Sequence, residues 1–194
     1  MHAGTVWDPA ICLLKYFEKN FTKLQEKFKQ KNIIELGSGT GVIGLCLDEF
    51  EPEKVILTDM EQYLQPIHNN IQINKNKLQG KYEVQKLTWG KENKEQVKQI
   101  LNILNNQIDI VIGSDLTYVS ENTDKLFETL DIIYQLSENK QNFQFLMCYC
   151  LHKQGDDFFI EKYSNQWNFE QIKYRDYHKD FRSDDIKIVI IKKK

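Results

Sequence analysis

Three groups of residues could do chemistry: the alternating glycines Gly37, Gly39 and Gly41; the acids Glu35, Asp59 and Asp115 at or near the ends of apolar runs; and Tyr118, three positions after Asp115. The run Ile33-Ile34-Glu35-Leu36-Gly37-Ser38-Gly39-Thr40-Gly41 turns from a buried-strand pattern into a helical one over a loop too tight for side chains. Glycines there accept positive φ and let a nucleotide-like ligand lie directly on the backbone. A ligand with a ribose is therefore expected. Gly39, Gly41 and Gly44 also satisfy G-x-G-x-x-G, a dinucleotide fingerprint that is weak when it stands alone. Asp59 closes the next apolar run, Val55 to Thr58, where an acid can accept both ribose hydroxyls of NAD or of S-adenosylmethionine. Taken alone, these residues leave both cofactors open.

The elements that must position them alternate along the chain. Apolar runs at 32–36, 54–58, 82–87, 108–113 and 143–149 predict strands, and amphipathic stretches at 42–50, 61–75, 94–104, 122–136 and 156–165 predict helices between and after them. An opening helix starts near Pro9, with proline in its favoured first turn, and carries Leu13, Leu14, Phe17, Phe21 and Leu24 at helical spacing. This order predicts an α/β sheet with helices on both faces. Two last strands, 169–174 and 186–191, have no helix between them and predict an antiparallel hairpin at the sheet edge. Ser114, Asp115 and Tyr118 follow the fourth strand, at the carboxyl edge where open parallel sheets bind ligands.

Composition bounds the rest. A chain of 194 residues, 41% hydrophobic, is expected to form a single domain. Its 26 basic and 28 acidic residues nearly cancel, so no nucleic-acid partner is expected from bulk charge. No apolar run is long enough to span a bilayer, and the N-terminal residues lack a signal-peptide core. The expectation is a cytoplasmic monomer without a membrane partner. Cys12, Cys46, Cys148 and Cys150 lack C-x-x-C spacing, so no metal is expected; Cys148 and Cys150 read as two buried thiols on one strand face. His2, His68, His152 and His178 do not cluster, and Lys192-Lys193-Lys194 reads as a solvated end.

Together the motifs carry a family resemblance. Glu35-Leu36-Gly37-Ser38-Gly39-Thr40-Gly41 resembles motif I of class I methyltransferases more than a dinucleotide site, and a parallel sheet finished by an antiparallel hairpin resembles the same fold. With Gly4-Thr5-Val6-Trp7-Asp8-Pro9-Ala10, Leu57-Thr58-Asp59, Leu87-Thr88-Trp89-Gly90 and the D-x-x-Y of Asp115 to Tyr118, the chain resembles the seven-β-strand protein-lysine methyltransferases, the methyltransferase-21-like or family-16 group. The resemblance implies a Rossmann-like α/β fold with a seven-stranded, mostly parallel sheet ending in an antiparallel hairpin. It divides the single domain, residues 1–194, into a cofactor-closing segment (1–30), a cofactor-binding half (31–118) and a substrate-side half (119–194).

The resemblance also implies roles. S-adenosylmethionine is the expected cofactor, with Glu35, Gly37, Ser38 and Gly39 in its site: the last three would contact its methionine and ribose portions. Asp59 would take the ribose hydroxyls, Trp89 the adenine and Ser114 the end of the fourth strand, while Trp7 would close over the donor. Asp115 would orient the substrate amine and Tyr118 would line its channel. The expected partner is a protein substrate. Asn69 to Lys75, Phe159 to Tyr163 and above all Phe181 to Ile188 most resemble the branch acting on valosin-containing protein, a hexameric AAA ATPase. Another protein (a chaperone or elongation factor), a small molecule, a nucleic acid, or cofactor binding without catalysis are the alternatives. The chain departs from the family pattern at Pro9, where alanine is usual, and at Cys150 and His152, where the resembling enzymes tend to carry glutamate and arginine.

Overall fold

A computed structural model describes residues 4–151 and 158–194. His2, His152 and the first two residues of the helix expected at 156–165 lie outside the described residues.

Five strands, β1 (Asn32–Leu36), β2 (Lys54–Asp59), β3 (Tyr82–Lys86), β4 (Ile110–Ser114) and β5 (Gln144–Cys150), run parallel. The hairpin strands β6 (Trp167–Gln171) and β7 (Ile186–Lys193) complete a seven-stranded sheet in the order β3-β2-β1-β4-β5-β7-β6. Only β7 runs against the rest, inserted between β5 and β6. Strand order reverses between β1 and β4, so their carboxyl ends flank a crevice.

Side-chain alternation divides the core. Ile34, Leu36, Ile56 and Val111 face one layer, against α5 (Lys94–Ile103) and α6 (Ser120–Leu136). Ile33, Val55, Leu57 and Ile112 face the other, against α1 (Asp8–Lys19), α2 (Phe21–Phe28), α3 (Val42–Cys46) and α4 (Leu64–Asn74). The short α7 (Phe158–Tyr163) packs its Tyr163 flat on Phe127 of α6, ring centroids 3.9 Å apart.

Several boundaries differ from the sequence expectation. The opening helix is two helices, broken at Asn20, whose side-chain amide donates to the Tyr16 carbonyl at 2.8 Å and the Asp176 carbonyl at 2.9 Å. Asparagine competes in this way with the backbone ladder. The break lets Phe17, Phe28 and Phe50 meet, centroids 5.3 to 5.9 Å apart. The helix expected at 42–50 tightens into a 3₁₀ turn after Cys46, and a 3₁₀ turn at Glu61–Tyr63 precedes α4. β6 begins at Trp167, two residues earlier than expected, because the buried indole packs between Phe127, Tyr134 and Phe143.

Cys148 is buried, whereas Cys150 is half-buried at the end of β5. The lysine end is not simply solvated: β7 continues to Lys193, whose ammonium lies 4.4 Å from the Trp167 ring centroid and pairs with Asp131.

The β6–β7 connection reaches back to α1. Lys19 Nζ donates to the Arg175 and Tyr177 carbonyls at 2.6 and 2.9 Å, and the Cys12 thiol approaches the Phe181 carbonyl at 3.5 Å. Part of the distal segment that distinguishes one branch of the resemblance therefore clips the helix that follows Trp7.

Candidate functional site

Where β1 ends, Gly37 and Gly39 take φ of +59° and +55°, values that side-chain-bearing residues rarely adopt. Space matters as much at Gly37: a Cβ there would fall 2.7 Å from Leu116 and 3.3 Å from the Trp89 ring. The loop is tied to β2 rather than merely lying beside it. Ser38 N–H donates to the Thr58 carbonyl at 2.9 Å, and Ser38 Oγ accepts the Thr58 N–H at 3.0 Å. Gly39 N–H donates to Asp59 Oδ2 at 2.8 Å, while Oδ1 accepts the Met60 N–H at 2.8 Å. Burial raises the Asp59 pKa, and the two amide hydrogen bonds act in the opposite direction. Each carboxylate oxygen keeps further acceptor capacity.

Glu35 stands apart from the other expected cofactor residues. Strand alternation turns it onto the face that meets α3, where it is 2% exposed and its Oε2 accepts the Gly44 N–H at 3.1 Å. Burial pushes its pKa up to about 8, partly offset by hydrogen bonds from Ser38 and Gly44. Glu35 does not line the cavity described below. A Cβ on Gly44 would lie 2.6 Å from that carboxylate and 2.2 Å from Leu57, so glycine is what allows α3 to sit so close.

Across the crevice, β4 ends in Ser114 and the chain turns through Asp115, at φ +55°. Such a conformation in a non-glycine residue is held only when its surroundings fix it. Here Asp115 N–H donates to the Cys148 carbonyl of β5 at 2.8 Å. Leu116 then points inward, against Gly37 and Gly113, which leaves Tyr118 outward and 44% exposed. The phenol pKa is raised, first by burial and then by the negative potential of the Asp115 and Asp59 carboxylates.

These walls enclose a cavity of about 740 Å³ lined by Trp7, Gly37, Ser38, Gly39, Asp59, Trp89, Ser114, Asp115 and Tyr118 among others. Nine of the ten expected site residues thus meet in one place, Glu35 excepted. Trp7, the N-cap of α1, is 50% exposed at the rim. The lining also includes Met60, Tyr63, Asn122 and Lys125, which sequence reading did not single out. Met60 and Tyr63 follow Asp59 directly, so the turn after β2 was the signal available for them. Asn122 and Lys125 lie three apart on α6, one helical face, but a polar helix face announces no pocket.

The residues present fit S-adenosylmethionine: bare backbone at Gly37 where a Cβ would collide, a carboxylate at the end of β2, and a flat indole opposite.

Comparison with known proteins agrees. Residues 1–166 match the family described as lysine methyltransferase. The chain is 34% identical over 131 residues to EEF1A lysine methyltransferase 3 of Xenopus tropicalis, covering 68% of this chain and 52% of that protein. It is 29% identical over 192 residues to protein-lysine N-methyltransferase EFM6 of Saccharomyces cerevisiae, covering 91% and 74%. The chain spans about half the length of the first curated relatives it matches. In fold it is similar to the glycopeptide N-methyltransferase MtfA complexed with S-adenosylmethionine, with a TM-score of 0.64 at 8% identity, covering 92% of this chain and 93% of that one. With its glycine loop, Asp59 and D-x-x-Y turn gathered at one cavity, and with most of its length matched, the chain belongs to the lysine methyltransferase family.

Proposed function

We propose that this chain transfers methyl groups from S-adenosylmethionine to the ε-amine of a lysine in a protein substrate. The observation that carries this reading is the convergence of the Gly37–Gly39 loop and Asp59 on one wall with Asp115 and Tyr118 on the other, around one cavity. S-adenosylmethionine, when bound, supplies an electrophilic methyl group on a sulfonium.

The chain's own residues must then bind the donor, dry the acceptor and align it. Gly37, Ser38 and Gly39 would hold the methionine and ribose portions, Asp59 the ribose hydroxyls and Trp89 the adenine; Ser114 would form the floor beside them. Free lysine has a pKa of about 10.4 and is mostly protonated at neutral pH. An apolar rim at Val6, Trp7 and Tyr118 would desolvate the arriving ammonium and so favour loss of its proton. A carboxylate alone would raise the lysine pKa, so Asp115 serves to orient the amine and stabilise the charge that develops on it, while the proton leaves to water. The Tyr118 ring face can hold the ammonium. Alignment alone can account for about 7–11 kcal/mol of barrier lowering.

Two targets are supported by different observations. The likeness to the Xenopus EEF1A lysine methyltransferase 3 supports elongation factor eEF1A. The Phe181 to Ile188 segment supports valosin-containing ATPase. The test is transfer of labelled methyl groups to each purified protein, beside Asp115→Ala. Labelling of one target that disappears in the variant supports the reading and chooses the substrate. Cofactor binding without labelling of either, or of any protein in a cell extract, would remove the catalytic reading.

A further inference from the structure

The turn that carries Trp89 is held by a helix that the proposed chemistry does not use. Thr129 of α6 is fully buried. Its Oγ1 accepts the Gly90 N–H at 2.9 Å and its hydroxyl donates to the Lys125 carbonyl, also at 2.9 Å, so the hydroxyl acts as donor and acceptor at once. Beside it, Glu128 Oε2 accepts the Lys91 N–H at 3.1 Å. Two successive amides directly after Trp89 are therefore pinned to α6. Gly90 sits at φ +118°, a backbone state open to glycine and rarely adopted by residues with a side chain. The same helix contributes Asn122 and Lys125 to the cavity lining, so the anchor and the wall are one element.

We propose that Thr129 is a positioning residue for cofactor binding: by accepting the Gly90 N–H it fixes where the Trp89 indole stands against the Gly37 loop. The inference rests on the reading of Trp89 as the adenine contact. Valine matches threonine in shape and can fill the same space between α6 and the turn, but it offers no acceptor. In Thr129→Val the Gly90 N–H is left buried without a partner, and the turn moves until that group finds one. Trp89 moves with it. Serine keeps the hydroxyl and should keep the indole in place.

The test is a double-mutant cycle on the dissociation constant for S-adenosylmethionine, measured calorimetrically on the full chain. Thr129→Val is expected to weaken binding about tenfold, Thr129→Ser to bind as wild type does, and Thr129→Val to add nothing in a Trp89→Ala background. Where the valine variant does not fold, Thr129→Ala takes its place in the cycle. Additive effects would overturn the inference, because Thr129 would then act by some route other than Trp89. So would failure of serine to rescue, or a Thr129→Val variant with wild-type affinity while Trp89→Ala binds weakly. An unchanged dissociation constant in Trp89→Ala itself would instead overturn the adenine reading, and the inference with it.

Discussion

The two walls of the cavity are built by different means. The wall formed by the Gly37–Gly39 loop and Asp59 is cross-tied: Ser38 and Thr58 exchange two hydrogen bonds, and Asp59 is gripped by the amides of Gly39 and Met60. The opposite rim presents side chains, with Trp7 and Tyr118 about half exposed on the segments that lead into α1 and out of β4. Hydrogen-bonded backbone suits a ligand that must always be held in the same pose. Exposed aromatic rings suit a partner that arrives as part of a large surface. The contrast teaches that donor binding and acceptor binding should be separable by mutation.

The sharpest way to break that separation is Asp115→Ala. Loss of a group positioned at developing charge typically costs on the order of 10²–10³ in rate. Methyl transfer should fall by about that factor while the S-adenosylmethionine dissociation constant stays within about twofold, read by single-turnover labelling and calorimetry. If cofactor affinity collapses in parallel, Asp115 belongs to the donor wall and the contrast fails. Asp59→Ala should do the reverse. A charged hydrogen-bonding group is worth about 1.5–3 kcal/mol, so donor affinity should weaken by about 10- to 150-fold while the KM for the protein substrate changes little. An unchanged donor affinity would remove Asp59 from the ribose.

Glu35 probes how the donor wall is supported from behind. Its folded pKa is about 8, against about 4.3 for an unfolded glutamate. Between those values the unfolded chain has released the proton that the folded chain keeps, so stability falls as pH rises through this window. The full linkage slope is about 1.4 kcal/mol per pH unit. Glu35→Gln, which keeps an oxygen for the Gly44 N–H, should flatten that slope and raise stability most near pH 8. Urea midpoints at pH 5.5 and pH 8 measure it. Equal pH dependence in the two proteins would mean that Glu35 is ionised in the fold.

How far the sequence disclosed these walls follows from what fixes each residue. β1, β2 and the glycine loop were legible because a buried strand must be apolar on both faces and a side-chain-free turn must be glycine. Asp59 was legible from its place at a strand end. The burial of Glu35 behind the loop was not, since the strand's alternation has to be set against the position of α3 before its direction is known. Likewise, the break at Asn20 depends on the Asp176 carbonyl, 156 residues away, which no helical periodicity can register. Thr129 is the extreme case: one threonine in a regular helix, given meaning only by the Gly90 amide 39 residues before it.

The smallest effect concerns Tyr118, and it separates ring from hydroxyl. Burial and the nearby negative groups raise the phenol pKa above its ordinary value near 10. At neutral pH the phenol therefore stays protonated and cannot serve as a base. If the residue works as a wall and an ammonium face, Tyr118→Phe keeps the ring and should lose no more than about threefold in kcat/KM, near the low end, about 0.5 kcal/mol, of what one neutral hydrogen bond is worth. Tyr118→Ala removes the face and the desolvation together, and its loss should fall mainly in the KM for the protein substrate, by about 5- to 30-fold for a cation–π contact of 1–2 kcal/mol. Donor affinity should be the same in both variants, because Tyr118 stands on the side-chain rim. A phenylalanine variant as impaired as the alanine variant would assign the work to the hydroxyl, and a drop in donor affinity in either would join the rim to the cross-tied wall.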